Sequence, residues 1–203
     1  MKKINNEQGF SLIELMIAMT ITLTIPGLTM TLFASAFGTR ARESRKTDAL
    51  TSARAALNLI SREIANSGYG LDNNGIVTGD SNASRIHFRA NVTNNDATTN
   101  SPGEDITYFF DPTTQSIVRY DPNDDTKVST IVNGISQVTF SYFNYTGSSS
   151  TPTETTTPTN NTGRIKITVT IRLEEVRGQP TNQTTTFTTD VTVRNSHYML
   201  NQY

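Results

Sequence analysis

Glu14 is an acid set at the edge of a long uncharged run, and that place needs a chemical reason. From Leu15 to Thr39 no residue carries a charge. An ionised carboxylate in an apolar medium is costly unless an opposite charge or several donors meet it. Glu14 is therefore the first candidate functional residue, with ion pairing as its chemistry. Gly9, Phe10 and Ser11 stand ahead of it, and Lys2 and Lys3 ahead of those. The glycine lies before the apolar run. An ordinary secretory signal places its small-residue cleavage site after the run. A plain signal anchor that happens to hold a glutamate would share the run and give Glu14 no task.

Little else in the chain has the residue types for catalysis. There are two histidines, His87 and His197, and no cysteine. Neither histidine has a neighbour at a zinc-ligand spacing. His87 reads as an ordinary face residue of a strand. No phosphate-binding glycine loop and no nucleophile elbow occurs. Asp121, Asn123 and Asp125 repeat the first three oxygen-ligand spacings of a calcium loop. The glycine and the closing glutamate of such a loop are missing, and Pro122 suits a plain turn. No enzymatic activity, no cofactor and no metal are expected, calcium at 121–125 being the weak candidate.

The elements that must position Glu14 come next. About 20 helical residues cross a hydrocarbon core of ~30 Å, so the uncharged run is long enough to span. Thr20, Thr22, Thr24, Thr29 and Thr31 lower its hydropathy, and their hydroxyls can bond back to helix carbonyls. Pro26-Gly27 interrupts it, because proline removes a backbone donor and crowds the preceding turn. A kink or loosened turn is expected near residues 22–27. Beyond the run, Leu50, Ala53, Leu57, Ile60 and Ile64 recur at steps of three and four and draw one apolar stripe. The stripe serves a buried face or a partner seam, the buried face being the commoner use. Ser67-Gly68 supplies a stop. One helix from Phe10 to about residue 66 is predicted.

After Gly70 the helical period gives way to alternation. Strands are predicted at 85–89, 105–110, 115–120, 128–132, 135–145, 164–173 and 184–193. The second and third form a hairpin around residues 111–114. Period-two patterns such as Val138, Phe140, Tyr142 and Ile165, Ile167, Val169, Ile171 fit antiparallel strands with one packed face. Residues 146–162 are a low-complexity insert with no apolar side chain to bury, read as a mobile polar loop. It could carry O-linked glycans or face a ligand, although a plain solvated loop accounts for its composition. The chain holds 17 basic and 18 acidic residues. Without Lys2, Lys3, Glu7 and Glu14 the remainder is 15 and 16, so the outer part offers no electrostatic footprint for nucleic acid.

The stretch Gly9-Phe10-Ser11-Leu12-Ile13-Glu14-Leu15 resembles the class III signal of type IV prepilins and type II secretion pseudopilins. The resemblance implies cleavage by a prepilin peptidase between Gly9 and Phe10, and N-methylation of the Phe10 amine. It gives Glu14 a role in assembly and axial register, by attraction to the Phe10 amine of a neighbouring subunit. It also makes Pro26 and Gly27 the helix break found in the first half of many pilin helices. The order of long helix, variable loop and antiparallel sheet resembles the pilin fold, an α+β class. Residues 131–142 and 164–173, with Arg62-Glu63-Ile64-Ala65-Asn66-Ser67-Gly68-Tyr69, are similar to PilW-type minor pilins and J-type pseudopilins. Calcium sites occur among pseudopilins. The absent cysteines depart from pilins that close a C-terminal loop with a disulfide.

The implied organisation is a leader at 1–9, a transmembrane and filament-core helix at 10–38, its amphipathic half at 39–68, and a β-rich head at 69–203 with the polar loop at 146–162. Arg40, Arg42, Arg45 and Lys46 flank the far end of the run, so a bare positive-inside count would put that end in the cytoplasm. The resemblance overrides that count. It implies a single-pass inner-membrane protein with an exported head, present in a pilus or pseudopilus after assembly. Implied partners are the prepilin peptidase, other minor and major pilins, an inner-membrane assembly platform, and membrane lipid before assembly. The favoured reading is a minor pilin of a type IV pilus that helps to prime assembly. A J-type minor pseudopilin of a type II secretion system is the runner-up. A membrane-anchored adhesin or DNA-uptake module is the alternative of another class.

Overall fold

A computed structural model of the 203-residue chain describes residues 9–93, 98–146, 150–173, 175 and 180–200. Two compact units divide it, residues 1–44 with 175–181, and residues 45–174 with 182–203. Helix α1 (Leu12–Ala65) is continuous over 54 residues. The strands are β1 (Arg85–Arg89), β2 (Asp105–Asp111), β3 (Ser116–Tyr120), β4 (Val128–Asn133), β5 (Ile135–Asn144), β6 (Thr153–Thr155), β7 (Thr162–Arg172) and β8 (Thr184–Thr192). A short α2 (His197–Leu200) ends the described chain. The class is α+β, with a helix packed on a β-sheet head.

The expected apolar stripe is the face of α1 that enters the core. Ala53, Leu57, Ile60 and Ile64 are buried, and Ala56 joins them. Leu50 is only half-buried. Ile60 and Ile64 retain no exposed surface. Burying such a side chain is worth about 1.5–3 kcal/mol, so this stripe is a main attachment of the helix to the head.

The strands are antiparallel, as the alternation implies, and they lie in two four-stranded sheets, a division that the alternation leaves open. One runs β1-β2-β3-β4 and the other β6-β5-β7-β8, every pairing antiparallel. The chain changes sheet at Gly134, whose φ is +75°. That left-handed conformation suits glycine and lets β5 leave the line of β4. Alternation reports which face is buried, not which strand pairs with which. Both sheets and the helix share one core. Ile86, Phe88, Ile106, Ile117 and Val132 come from the first sheet, and Phe140, Tyr142, Ile165, Ile167 and Val169 from the second.

The polar insert also differs from expectation. Residues 153–155 form the edge strand β6, paired with β5 through Tyr142↔Thr155 and Asn144↔Thr153. Thr162 is wholly buried and its hydroxyl donates to Asn144 Oδ1. Threonine is a β-branched residue that packs well in strands, and an edge strand needs partners for its main chain rather than an apolar surface. Residues 147–149 of the insert lie outside the described residues.

The end of α1 is stitched to the head by a tight loop. Gly68 takes φ +79° and Gly75 φ +73°. A Cβ at Gly75 would lie 2.2 Å from both Arg89 O and Gly68 N. Gly68 N–H donates to Arg89 O at 2.8 Å, and Ser67 Oγ donates to Asn74 O at 2.6 Å. Arg194 N–H reaches Ala65 O at 3.3 Å, so one terminal helix carbonyl is satisfied by the strand end that follows β8.

Candidate functional site

Phe10 and Ser11 precede the first turn of α1, and Phe10 is almost fully exposed. Ser11 is the residue before the helix and Glu14 is its third residue. The Ser11 N–H donates to Glu14 Oε2 at 3.0 Å. This is one arm of a capping box, in which an acid turns back to satisfy a free donor at the helix start. The carboxylate also faces the positive end of the helix dipole. Glu14 is thus turned back toward the start of the helix, onto the Ser11 N–H.

The uncharged run is fully helical, and its large apolar side chains from Leu12 to Phe37 stand exposed. By length and composition α1 can cross a membrane. Its threonine hydroxyls are satisfied within the helix. Thr20 donates to Met16 O at 2.8 Å, Thr22 to Ala18 O at 2.7 Å, and Thr31 to Leu28 O at 2.7 Å. In lipid such hydroxyls have no water to turn to, so internal bonding is what makes them tolerable. The helix continues through Pro26 and Gly27. Thr29 Oγ1 meets Ile25 O at 3.1 Å and Pro26 O at 2.9 Å just beyond them. The missing donor of Pro26 leaves a weak point in the ladder without ending the helix.

In the head, two of the three candidate calcium residues, Asp121 and Asn123, are hydrogen-bonded within the protein. Asp121 is wholly buried. Its Oδ2 accepts from Gly103 N at 2.7 Å and from Arg119 at 3.4 Å, and its Oδ1 accepts from Asn123 N at 3.0 Å. Asn123 Nδ2 donates to Thr99 O at 3.1 Å. Asp125 is exposed. The arrangement is a self-bonded aspartate turn that joins the 99–103 loop to the end of β3.

Asp121 belongs to a partly buried polar chain that sequence reading missed. Tyr108 Oη donates to Glu63 Oε2 at 2.6 Å, and Arg119 Nε donates to the same oxygen at 3.2 Å. The chain therefore runs from α1 through β2 and β3 to the turn at Asp121. Burial, followed by the Glu63 carboxylate, pushes the Tyr108 hydroxyl well above its usual range. Burial opposes the charge on Arg119, but Glu63, Tyr108 and Asp121 together outweigh it and hold the guanidinium more firmly protonated. The sequence signal was the position of Glu63, three residues beyond Ile60 and so on the flank of the stripe.

His87 is more than a face residue. Its Nδ1 lies 2.9 Å from Asp80 Oδ2, and its Nε2 contacts Asp105 Oδ1. Arg85 pairs with Asp80 at 3.1 Å and Arg89 with Asp105 at 3.1 Å. This charged ladder ties the 3-10 turn Thr78–Asp80 to β1 and β2. The alternation Arg85, His87, Arg89 was its sequence signal. The described residues hold no group of three His, Cys, Asp or Glu placed for a metal.

The family described as the prokaryotic N-terminal methylation motif matches residues 4–25. No curated protein and no solved structure matches the chain. The matched motif spans Gly9, Phe10 and Glu14. It supports a type IV pilin-like protein that a prepilin peptidase processes and that assembles with other pilins. The apolar helix and the β head fit a membrane-anchored pilin, a structural class rather than a catalytic one.

Proposed function

We propose that this protein is a minor pilin of a type IV pilus that helps to prime pilus assembly. The observation that carries the reading is Glu14, in the first turn of an exposed apolar helix that the matched N-terminal motif covers. After cleavage behind Gly9, the chain would begin at a methylated Phe10. Residues 10–38 would lie in the inner membrane and then in the filament core, and 39–68 would join them to the exported head at 69–203. In lipid, Glu14 would be drawn to the Phe10 amine of a neighbouring subunit. Pairing offsets the cost of burying the carboxylate, and its short range sets the axial register between helices. The weak point at Pro26-Gly27 would let the helix adjust as it leaves the bilayer for the filament. The assembly platform and other pilins are the partners.

Intact-mass spectrometry of sheared surface filaments and of the inner-membrane fraction tests this. A methylated Phe10 terminus in the filaments supports it. A processed chain confined to the membrane in cells that secrete through a type II system favours a J-type pseudopilin. An intact Met1 terminus in cells with an active prepilin peptidase overturns both.

A further inference from the structure

Five Asn-x-Ser/Thr triplets occur in the chain, beginning at Asn82, Asn91, Asn144, Asn160 and Asn182. In an exported protein each is a nominal acceptor for an N-linked glycan. The fold separates them. Asn91 is only 3% exposed. Asn144 spends its Nδ2 on Thr155 Oγ1, and its Oδ1 receives the Thr162 hydroxyl. Asn160 is exposed, but its partner in the triplet is the same buried Thr162. Asn182 and Thr184 are exposed, but Asn182 sits in the left-handed region at φ +56° and its Oδ1 is turned to Arg172 at 2.8 Å instead of to the hydroxyl of its own triplet.

At Asn82 the acceptor and its hydroxyl residue are both exposed and are hydrogen-bonded to each other. Asn82 Oδ1 accepts from Ser84 N at 2.9 Å and from Ser84 Oγ at 3.0 Å. Its Nδ2 makes no hydrogen bond among the described residues. Two donors on the carboxamide oxygen orient the group and leave the nitrogen outward. The main chain beneath is pinned, since Tyr142 Oη donates to the carbonyls of Asn82 and Arg85 at 3.0 Å each. Phe140 N–H holds Ala83 O at 2.8 Å. Asp80, two residues before the acceptor, is held by Arg85 and His87, which fixes the chain on that side of Asn82.

We propose that Asn82 is the N-glycosylation acceptor of this head, with Ser84 as the hydroxyl read beside it. The inference rests on the proposed export of the head. The donor would be an oligosaccharide carried on a lipid diphosphate. Asn82 Nδ2 attacks the anomeric carbon, and the new C–N bond replaces the C–O bond to phosphate. The lipid diphosphate leaves with the electron pair, and the amide loses one proton to a base. No electron is gained or lost.

The test has two arms. The full chain is produced in bacteria holding a prepilin peptidase and an oligosaccharyltransferase, and peptide mass mapping reads both the Phe10 terminus and Asn82. In parallel, the purified detergent-solubilised chain is mixed with the transferase and lipid-linked donor, which makes the acceptor test independent of export. The expected result is a glycan mass on Asn82, lost in Asn82→Gln and Ser84→Ala, and kept in Ser84→Thr. No transfer to Asn82 in the purified arm, or transfer only to Asn160 or Asn182, overturns the proposal whatever the state of Phe10. Transfer in the purified arm with an unprocessed Met1 terminus in cells supports the acceptor and counts against the export reading.

Discussion

The carboxylate of Glu14 and that of Glu104 meet the same problem in different surroundings. Glu14 lies in an uncharged helix start, where one backbone donor reaches it. The expected outcome for Glu14→Ala is normal insertion and cleavage with loss from sheared filaments, read by immunoblot of membrane and filament fractions. Normal incorporation would remove the assembly role given to it. Glu104 is buried at 1% exposure in the head. Burial disfavours its charge, but the Thr93 hydroxyl and N–H, with the Ser101 N–H, outweigh burial and hold its carboxyl below the ordinary value of 4.5. A depressed carboxyl adds stability that is fully present above the unfolded value. That stability is lost as pH falls through the folded value. Wild type should exceed Glu104→Gln in urea midpoint near about pH 7, and the gap should close on acidification below about pH 4. A gap that is constant with pH would deny the carboxylate this part.

At the scale of elements, two kinds of contact hold α1 to the head. The apolar stripe is the larger. Ile60→Ala should cost about 2–5 kcal/mol, because the site is fully buried and enclosed by strands. The Glu63–Tyr108–Arg119 chain contributes direction. Tyr108→Phe removes one bond to Glu63 but leaves Arg119 in place, so a loss of about 1–2 kcal/mol is expected by denaturant titration of the solubilised chain. A loss no larger than error would mean that water replaces the tyrosine fully. The loop that turns the chain from helix to head depends on backbone shape. Gly75→Ala meets two main-chain atoms at 2.2 Å in a left-handed conformation, and a loss of more than about 2 kcal/mol is expected.

For the whole molecule, the shared core explains how a head of Thr- and Asn-rich strands can stand without disulfides. No cysteine occurs, and a core drawing on α1 and both sheets takes the place of cross-links. Removing the stripe should therefore loosen both sheets together. Hydrogen exchange on Ile60→Ala should show faster exchange in β2 and in β7 alike. Faster exchange in one sheet alone would mean that the sheets are stabilised separately.

Much of this was legible in the residues themselves. Gly9, Phe10 and Glu14 lie within a few positions of one another on one helix start, so their meaning survives without any tertiary information. The length of α1, its stop at Gly68 and the bounds of the long strands follow from local rules of capping, period and turn chemistry, which act over fewer than ten residues. Pairing does not. The division into two sheets at Gly134, the strand within 146–162 and the links of Glu63 to Tyr108 and of His87 to Asp80 and Asp105 join residues across loops. Their energies depend on distances that only the folded chain sets. The same holds for Asn82. Five triplets look alike as sequence, and burial, backbone conformation and hydrogen bonding together set Asn82 apart, because a side chain's neighbours in space decide what its nitrogen is free to do.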